Sequence, residues 1–244
     1  GLFFRKKYDI MKFMNMSERA AAYLERITNE KKEAFGAFYR LLIEYNQKYN
    51  LTAITEEKAV LYKHFLDSPL GEFLFPPHAK VFEVGSGAGF PSLVLKILRP
   101  DLSFTLTDGV GKKCAFLQAA CAALGLQGVE VIHARAEDLA RDGKYRERYD
   151  VSCARAVAAM NTLSEYCLPF VRVGGRFIAY KGGDETEIKN AANAVRLLGG
   201  RVKEVIGYDL PEGYGGRTLA VIEKVRPTFA RYPRGNGRER KDPL

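Results

Sequence analysis

A chain of 244 residues with 47% hydrophobic and 27% charged side chains can bury a core of its own, which excludes a disordered or fibrous protein. No apolar run approaches the roughly 20 residues of a membrane span, so no membrane partner is expected. The net charge of +9 sits at the ends. Residues 1–20 carry five bases against two acids, residues 217–244 carry eight against three, and the body between is nearly neutral. Basic ends on a neutral body suit a polyanion such as nucleic acid, because phosphate neutralisation by Lys and Arg drives such binding.

The first stretch, "GLFFRKKYDIMKF", has no apolar core and no small-residue cleavage site, so no secretory signal is expected in it. Cys114, Cys121, Cys153 and Cys167 form no CxxC pair, and His64, His78 and His133 are scattered. That pattern argues against a zinc site or disulfide framework, and no metal is expected. Reduced core thiols fit a protein of the cytoplasm.

In chain order, residues 17–29 and 31–49 read as helices. Phe35, Phe38, Leu42, Tyr45 and Tyr49 fall at three- and four-residue steps in the second and make one apolar stripe. Thr55 before "EEKAVLYKHFLDS" reads as the N-cap of a third helix. His64 and Asp67 stand one turn apart on it and could approach the mouth of a cofactor site, but a helix-packing hydrogen bond is the stronger expectation. "FPPHAK" at 75–80 breaks the helical pattern.

Beyond it the rhythm alternates. "KVFEVG", "LSFTLTD", "VEVIHA", "YDVSCARA" and "GGRFIAYKG" read as strands separated by helices, and their nearly continuous apolar runs fit a parallel sheet covered on both faces. "ETEIKNAANAVRLLG" reads as one helix. "RVKEVIGYDL" and "RTLAVIEKV" follow with no helix between them, which predicts an antiparallel addition. The chain is thus expected to be α/β, with a helical cap over 1–78, a Rossmann-like body over 79–226 and a basic tail over 227–244. The tail, "RYPRGNGRERKDPL", is expected to stay without regular structure, with Arg231 and Arg234 free for phosphate.

The turn after the first strand carries the chemistry. In an open α/β sheet this turn approaches the ligand most closely, and Gly85, Gly87 and Gly89 supply the freedom that approach needs. Phe90 stands where a dinucleotide fingerprint wants a small residue, so a pyrophosphate is disfavoured. Glu83, two residues before the turn, can face a cationic ligand or fix the loop. Asp108 ends the next strand and can accept from both ribose hydroxyls. A ribose without phosphate, plus a positive centre, describes S-adenosylmethionine. Cys153 lies inside an apolar strand with no preceding Pro, which argues against a cysteine nucleophile.

The chain resembles the RsmG (GidB) family of bacterial small-subunit rRNA guanine-N(7) methyltransferases over nearly all its length. The resemblance rests on "YNLTAIT" (49–55), "KHFLDS" (63–68), "VGSGAGFP" (84–91), "RPDL" (99–102), "ARAEDL" (134–139), "ARAVA" (154–158), "KGG" (181–183), "LGG" (198–200), "RTLAVIEK" (217–224) and "RYPR" (231–234). Pro69 and Gly109 depart from the pattern, where an aliphatic and a hydroxyl residue are usual. The resemblance implies a class I S-adenosylmethionine-dependent methyltransferase with a seven-stranded, mainly parallel sheet, an antiparallel last strand and a helical N-terminal extension. It implies that Gly85 and Phe90 touch the cofactor, that Ala136 and Glu137 lie by its adenosine part, and that Arg155 completes the pocket; Arg155 is expected near the transferring methyl. Lys181, ending the fifth strand, is the expected RNA or pocket contact. The partner implied is 16S rRNA or the small ribosomal subunit, and a monomer is expected. The same fold also serves methyltransferases of small molecules or proteins, and RNA-binding modules without catalysis. A methylation assay on rRNA separates these.

Overall fold

The structure is a computed structural model that describes residues 14–244. The bases Arg5, Lys6, Lys7 and Lys12, counted above in the basic N-terminal end, lie outside the described residues.

Helix α1 (Met16–Glu25) opens on a capping box, in which Asn15 and Glu18 each bond the other's backbone N–H. It widens into a π-helical turn over Arg26–Glu30 before α2 (Lys32–Tyr49). The predicted stripe packs inward: Phe35, Phe38 and Leu42 are buried, and Tyr45 and Tyr49 lie against the same core. The third helix, α3 (Glu57–Val60), is capped by Glu56 rather than Thr55, its carboxylate accepting from Lys58 N–H at 2.9 Å and Ala59 N–H at 2.7 Å. The chain then widens to a π-helix over Leu61–Leu66 and tightens to a 3₁₀ helix over Ser68–Leu74. Pro69 falls in the first turn of that last segment, where its missing N–H leaves no bond unmade.

The sheet holds β1 (Lys80–Val84), β2 (Ser103–Asp108), β3 (Val129–His133), β4 (Tyr149–Arg155), β5 (Val171–Gly182), β6 (Gly200–Leu210) and β7 (Gly215–Lys224). Their order is β3-β2-β1-β4-β5-β7-β6. The first five strands pair in parallel, and β7 runs antiparallel between β5 and β6. The helices of this part are α4 (Ser92–Leu98), α5 (Gly111–Ala123), α6 (Ala136–Leu139), α7 (Met160–Cys167), α8 (Thr186–Asn190), α9 (Ala192–Leu197) and α10 (Arg238–Lys241). The single helix expected over 185–199 is two short ones broken at Ala191.

Two cores flank the sheet. One buries α2, the 61–75 segment, α4 and α5, with Phe38 stacked 5.4 Å from Phe90 and 6.5 Å from Phe116. The other gathers α7 and α9 with Phe82, Phe170 and Tyr232. The sheet changes winding direction between β1 and β4, and an open α/β sheet binds its ligands in the crevice at that point.

The tail carries little regular structure, only α10, yet it is packed. Arg146 donates to the carbonyls of Thr228 (2.8 Å) and Tyr232 (2.9 Å), and Arg141 to those of Pro233 (2.8 Å) and Arg234 (2.6 Å). Bonds from side chain to backbone leave no hydrophobic period, so a pattern search passes over them.

Candidate functional site: two clefts that meet at Ala156

At the carboxyl edge of β1, β2 and β3 lies a cleft of about 370 Å³. Gly85 forms one lip with φ of +65°, and a Cβ there would stand 2.7 Å from Cγ2 of Val157. The position therefore needs glycine for both conformation and space. Asp108 forms the opposite wall. Its Oδ2 accepts from Gly87 N–H at 3.0 Å and its Oδ1 from Val110 N–H at 2.9 Å, which fixes the carboxylate. A carboxylate offers about four acceptor directions, so each oxygen keeps one for a ligand hydroxyl. Ala136, Glu137 and Tyr166 continue the wall. The bare glycine lip and the half-satisfied aspartate fit a nucleoside with a vicinal diol.

The sequence-predicted residues divide here. Gly85, Asp108, Ala136 and Glu137 line this cleft, whereas Glu83, Gly87, Gly89 and Phe90 do not. Gly87 acts through its N–H on Asp108. Gly89 lets the turn press on α4, where a Cβ would come within 2.5 Å of Leu93. Glu83 lies under the turn, fully buried, with neither carboxylate oxygen meeting a donor at hydrogen-bond geometry. Burial pushes its pKa up to about 7, against the opposing pull of the Ser86 and Ser92 hydroxyls. Phe90 turns its ring into the helical core and does not line this cleft. Its ring stacks 4.4 Å from His64, with the Arg155 guanidinium carbon 5.2 Å from its centroid.

A second cleft, of about 350 Å³, opens on the other side of the β4 tip. Arg155 lies here. Its Nη1 donates to Lys63 O at 2.9 Å and to Asp67 Oδ2 at 3.2 Å, and its Nη2 faces His64 Nδ1 at 2.6 Å. His64 and Asp67 thus meet at Arg155, and both line this cleft. Asp67 is a hub, because Tyr208 Oη donates to its Oδ1 at 2.9 Å and Arg217 Nε approaches its Oδ2 at 3.4 Å. Burial first, then the Arg155 charge, pushes the His64 pKa down to about 3, so the ring stays neutral. An arginine always donates, so a neutral His64 accepts at Nδ1 and carries its proton on Nε2, toward Thr52 Oγ1 at 3.1 Å. Lys181 borders the same cleft, held by Glu187 at 2.8 Å and Ala158 O at 3.0 Å.

Ala156 lines both clefts. It adopts φ of +56°, unusual for a residue with a Cβ, and such strain gathers at functional sites. Sequence reasoning missed it, together with Tyr208 and Arg217. For Arg217 a signal existed: antiparallel pairing of "RTLAVIEK" with β5 sets it opposite Gly182, beside Lys181.

The two tail arginines part company. Arg231 is exposed, its guanidinium carbon 5.5 Å from the Phe229 ring centroid and 5.1 Å from that of Tyr232. Arg234 is committed to fully buried Glu165 through Nε at 3.1 Å and Nη2 at 2.9 Å. A guanidinium so engaged anchors the tail, which corrects its expectation as a phosphate ligand. Among the described residues no group of three or more His, Cys, Asp or Glu could hold a metal ion, and no helix is long and apolar enough to cross a membrane.

Residues 31–211 match the family model described as rRNA small subunit methyltransferase G, a stretch that stops short of β7 and the tail. A ribosomal RNA small subunit methyltransferase G from Moorella thermoacetica is 51% identical over 212 residues, 85% of this chain and 88% of that protein. Its namesake from Brevibacillus brevis is 45% identical over 93% of this chain and 97% of its own. Among solved structures, M. jannaschii TYW2 in complex with AdoMet shares the fold at TM-score 0.55 and 13% identity, covering 71% of this chain and 80% of that one.

Proposed function

The chain belongs to the rRNA small subunit methyltransferase G family, and from that premise we propose that it transfers a methyl group from S-adenosylmethionine to N-7 of a guanine in 16S rRNA. The observation that carries this reading is Ala156, the single strained residue shared by a nucleoside-shaped cleft and a cation-lined one. One cleft takes the cofactor and the other the target base, with the β4 tip between them.

S-adenosylmethionine supplies an electrophilic methyl group on a positive sulfur. Guanine N-7 already exposes a lone pair and carries no proton, so the protein needs no general base. Its task is alignment and exclusion of water. Asp108 holds the ribose and Gly85 admits the cofactor against the backbone. Arg155 is the residue at the transferring methyl. All its bonded donors face protein atoms, so it acts as a fixed positive charge and as a strut joining β4 to the helical segment. Arg217 keeps Nη2 for the base, where a guanidinium donates to O-6 of guanine. Lys181 adds a second cation.

The helices before β1 serve as a cap over the base cleft. Arg231, with an exposed guanidinium on an aromatic pair, grips RNA phosphate. The protein acts as a monomer in the cytoplasm, on the small ribosomal subunit or its rRNA. Incubation with labelled cofactor and rRNA, followed by nucleoside mass spectrometry, tests this reading. N7-methylguanosine that depends on Asp108 supports it, and transfer to another atom overturns it.

A further inference from the structure

Because β7 is antiparallel to β5, the chain leaves its last strand at the edge of the sheet opposite the clefts. The residues after Lys224 travel back to the cleft edge along a path fixed by specific bonds. Arg146 and Arg141 hold the carbonyls of 228–234, as described above. Arg234 then pins the chain to Glu165 on α7. Five residues on, Thr162 of the same helix donates to Glu239 O at 2.7 Å, and the buried Glu239 carboxylate accepts from Gly235 N–H. The result is a rigid strap on α7, the helix that also delivers Tyr166 to the first cleft.

The strap brings Arg240 to that cleft. Its Nη2 donates to Val157 O at 3.1 Å, and the side chain forms cleft wall with Val157 and Tyr166. Val157 is the residue that a Cβ on Gly85 would strike, so Arg240 is bonded to the backbone beside the Gly85 lip. We propose that the tail is the closing wall of the cofactor cleft and that Arg240 contacts the bound S-adenosylmethionine, an inference that rests on the methyltransferase reading above. A guanidinium is always charged and carries five donors, and the bond to Val157 uses one of them. Another is engaged by Tyr166, and the rest of the guanidinium borders the cleft that Gly85 and Glu137 also line. The tail's basic composition thus serves the cofactor as well as RNA.

Titration calorimetry with S-adenosylhomocysteine, which binds without turnover, tests the inference. Arg240→Ala weakens binding roughly tenfold, as loss of a charge-assisted bond implies, and Arg240→Lys recovers part of the loss. Arg238→Ala, an exposed neighbour away from the cleft, binds as the wild type does. Arg240 is exposed, so thermal melts without ligand superimpose for all four proteins. Arg240→Ala binding within twofold of the wild type overturns the inference. A wild type that binds no S-adenosylhomocysteine sinks the methyltransferase reading itself, and the inference falls with it.

Discussion

Arg155 Nη2 lies 2.6 Å from His64 Nδ1, and this contact joins the tip of β4 to the helical segment that precedes the sheet. It holds only while the imidazole is neutral. The His64 pKa lies near 3 when folded, against about 6.5 in an unfolded chain. The depressed value means that His64 contributes its full stability above pH 6.5 and loses it as pH falls toward 3. Relative to His64→Gln, the wild type therefore loses up to about 1.4 kcal/mol per pH unit between pH 6 and 4. Urea unfolding at several pH values in that range measures the slope. Parallel curves for the two proteins exclude the contact as a constraint.

Glu83 titrates with the opposite sign. Its folded pKa is raised to about 7 from an ordinary 4.5, so its contribution is present below pH 4.5 and is lost as pH rises through 7. The wild type loses roughly 3 kcal/mol relative to Glu83→Gln between pH 4.5 and 8, from a shift of that size. Melting both proteins at pH 5 and pH 8 checks this. A stability difference that stays constant with pH contradicts a protonated carboxyl beneath the glycine turn.

Much of this was legible in the sequence, and particular residues explain where legibility stopped. The apolar runs of β1 to β5 announced a parallel sheet, and the glycines with Asp108 marked one cleft. The second cleft was harder to read, because Asp67, Tyr208 and Arg217 stand 141 and 150 positions apart along the chain. Their meeting depends on the β6–β7 pairing, which hydrophobic period does not encode. Phe90 shows a different limit. Its place in the motif suggested a cofactor contact, but its ring stacks on Phe38 and His64, partners distant in the sequence.

Gly85 tests the lip of the first cleft. Gly85→Ala introduces a Cβ 2.7 Å from Val157 in a left-handed backbone, at a cost of at least 1–2 kcal/mol for the conformation alone. Combining it with Val157→Ala removes the clash and leaves the backbone cost. Denaturant titration of single and double variants separates the two. Equal stability of Gly85→Ala and wild type contradicts the geometry.

The tail arginines separate by what each variant loses. Arg234→Ala leaves the buried Glu165 charge without its cation, only the backbone N–H of residue 234 still donating to it, and destabilises the fold by about 3–5 kcal/mol. Arg231→Ala leaves the melting temperature unchanged, weakens rRNA binding and lowers the salt slope by roughly one unit. Melting curves and filter binding over a salt series distinguish them. Equal effects of the two variants on RNA affinity alone contradict the packed tail.

One assay bears most directly on a nucleoside-holding aspartate feeding a methyl group to an adjacent base cleft. Purified protein, labelled S-adenosylmethionine and 16S rRNA are combined, once with wild type and once with Asp108→Ala, and the digested RNA is resolved by mass spectrometry. The account predicts N7-methylguanosine with the wild type and its loss with Asp108→Ala, whose affinity for S-adenosylhomocysteine falls in step. Undiminished methylation by Asp108→Ala, or no N7-methylguanosine from the wild type, contradicts it.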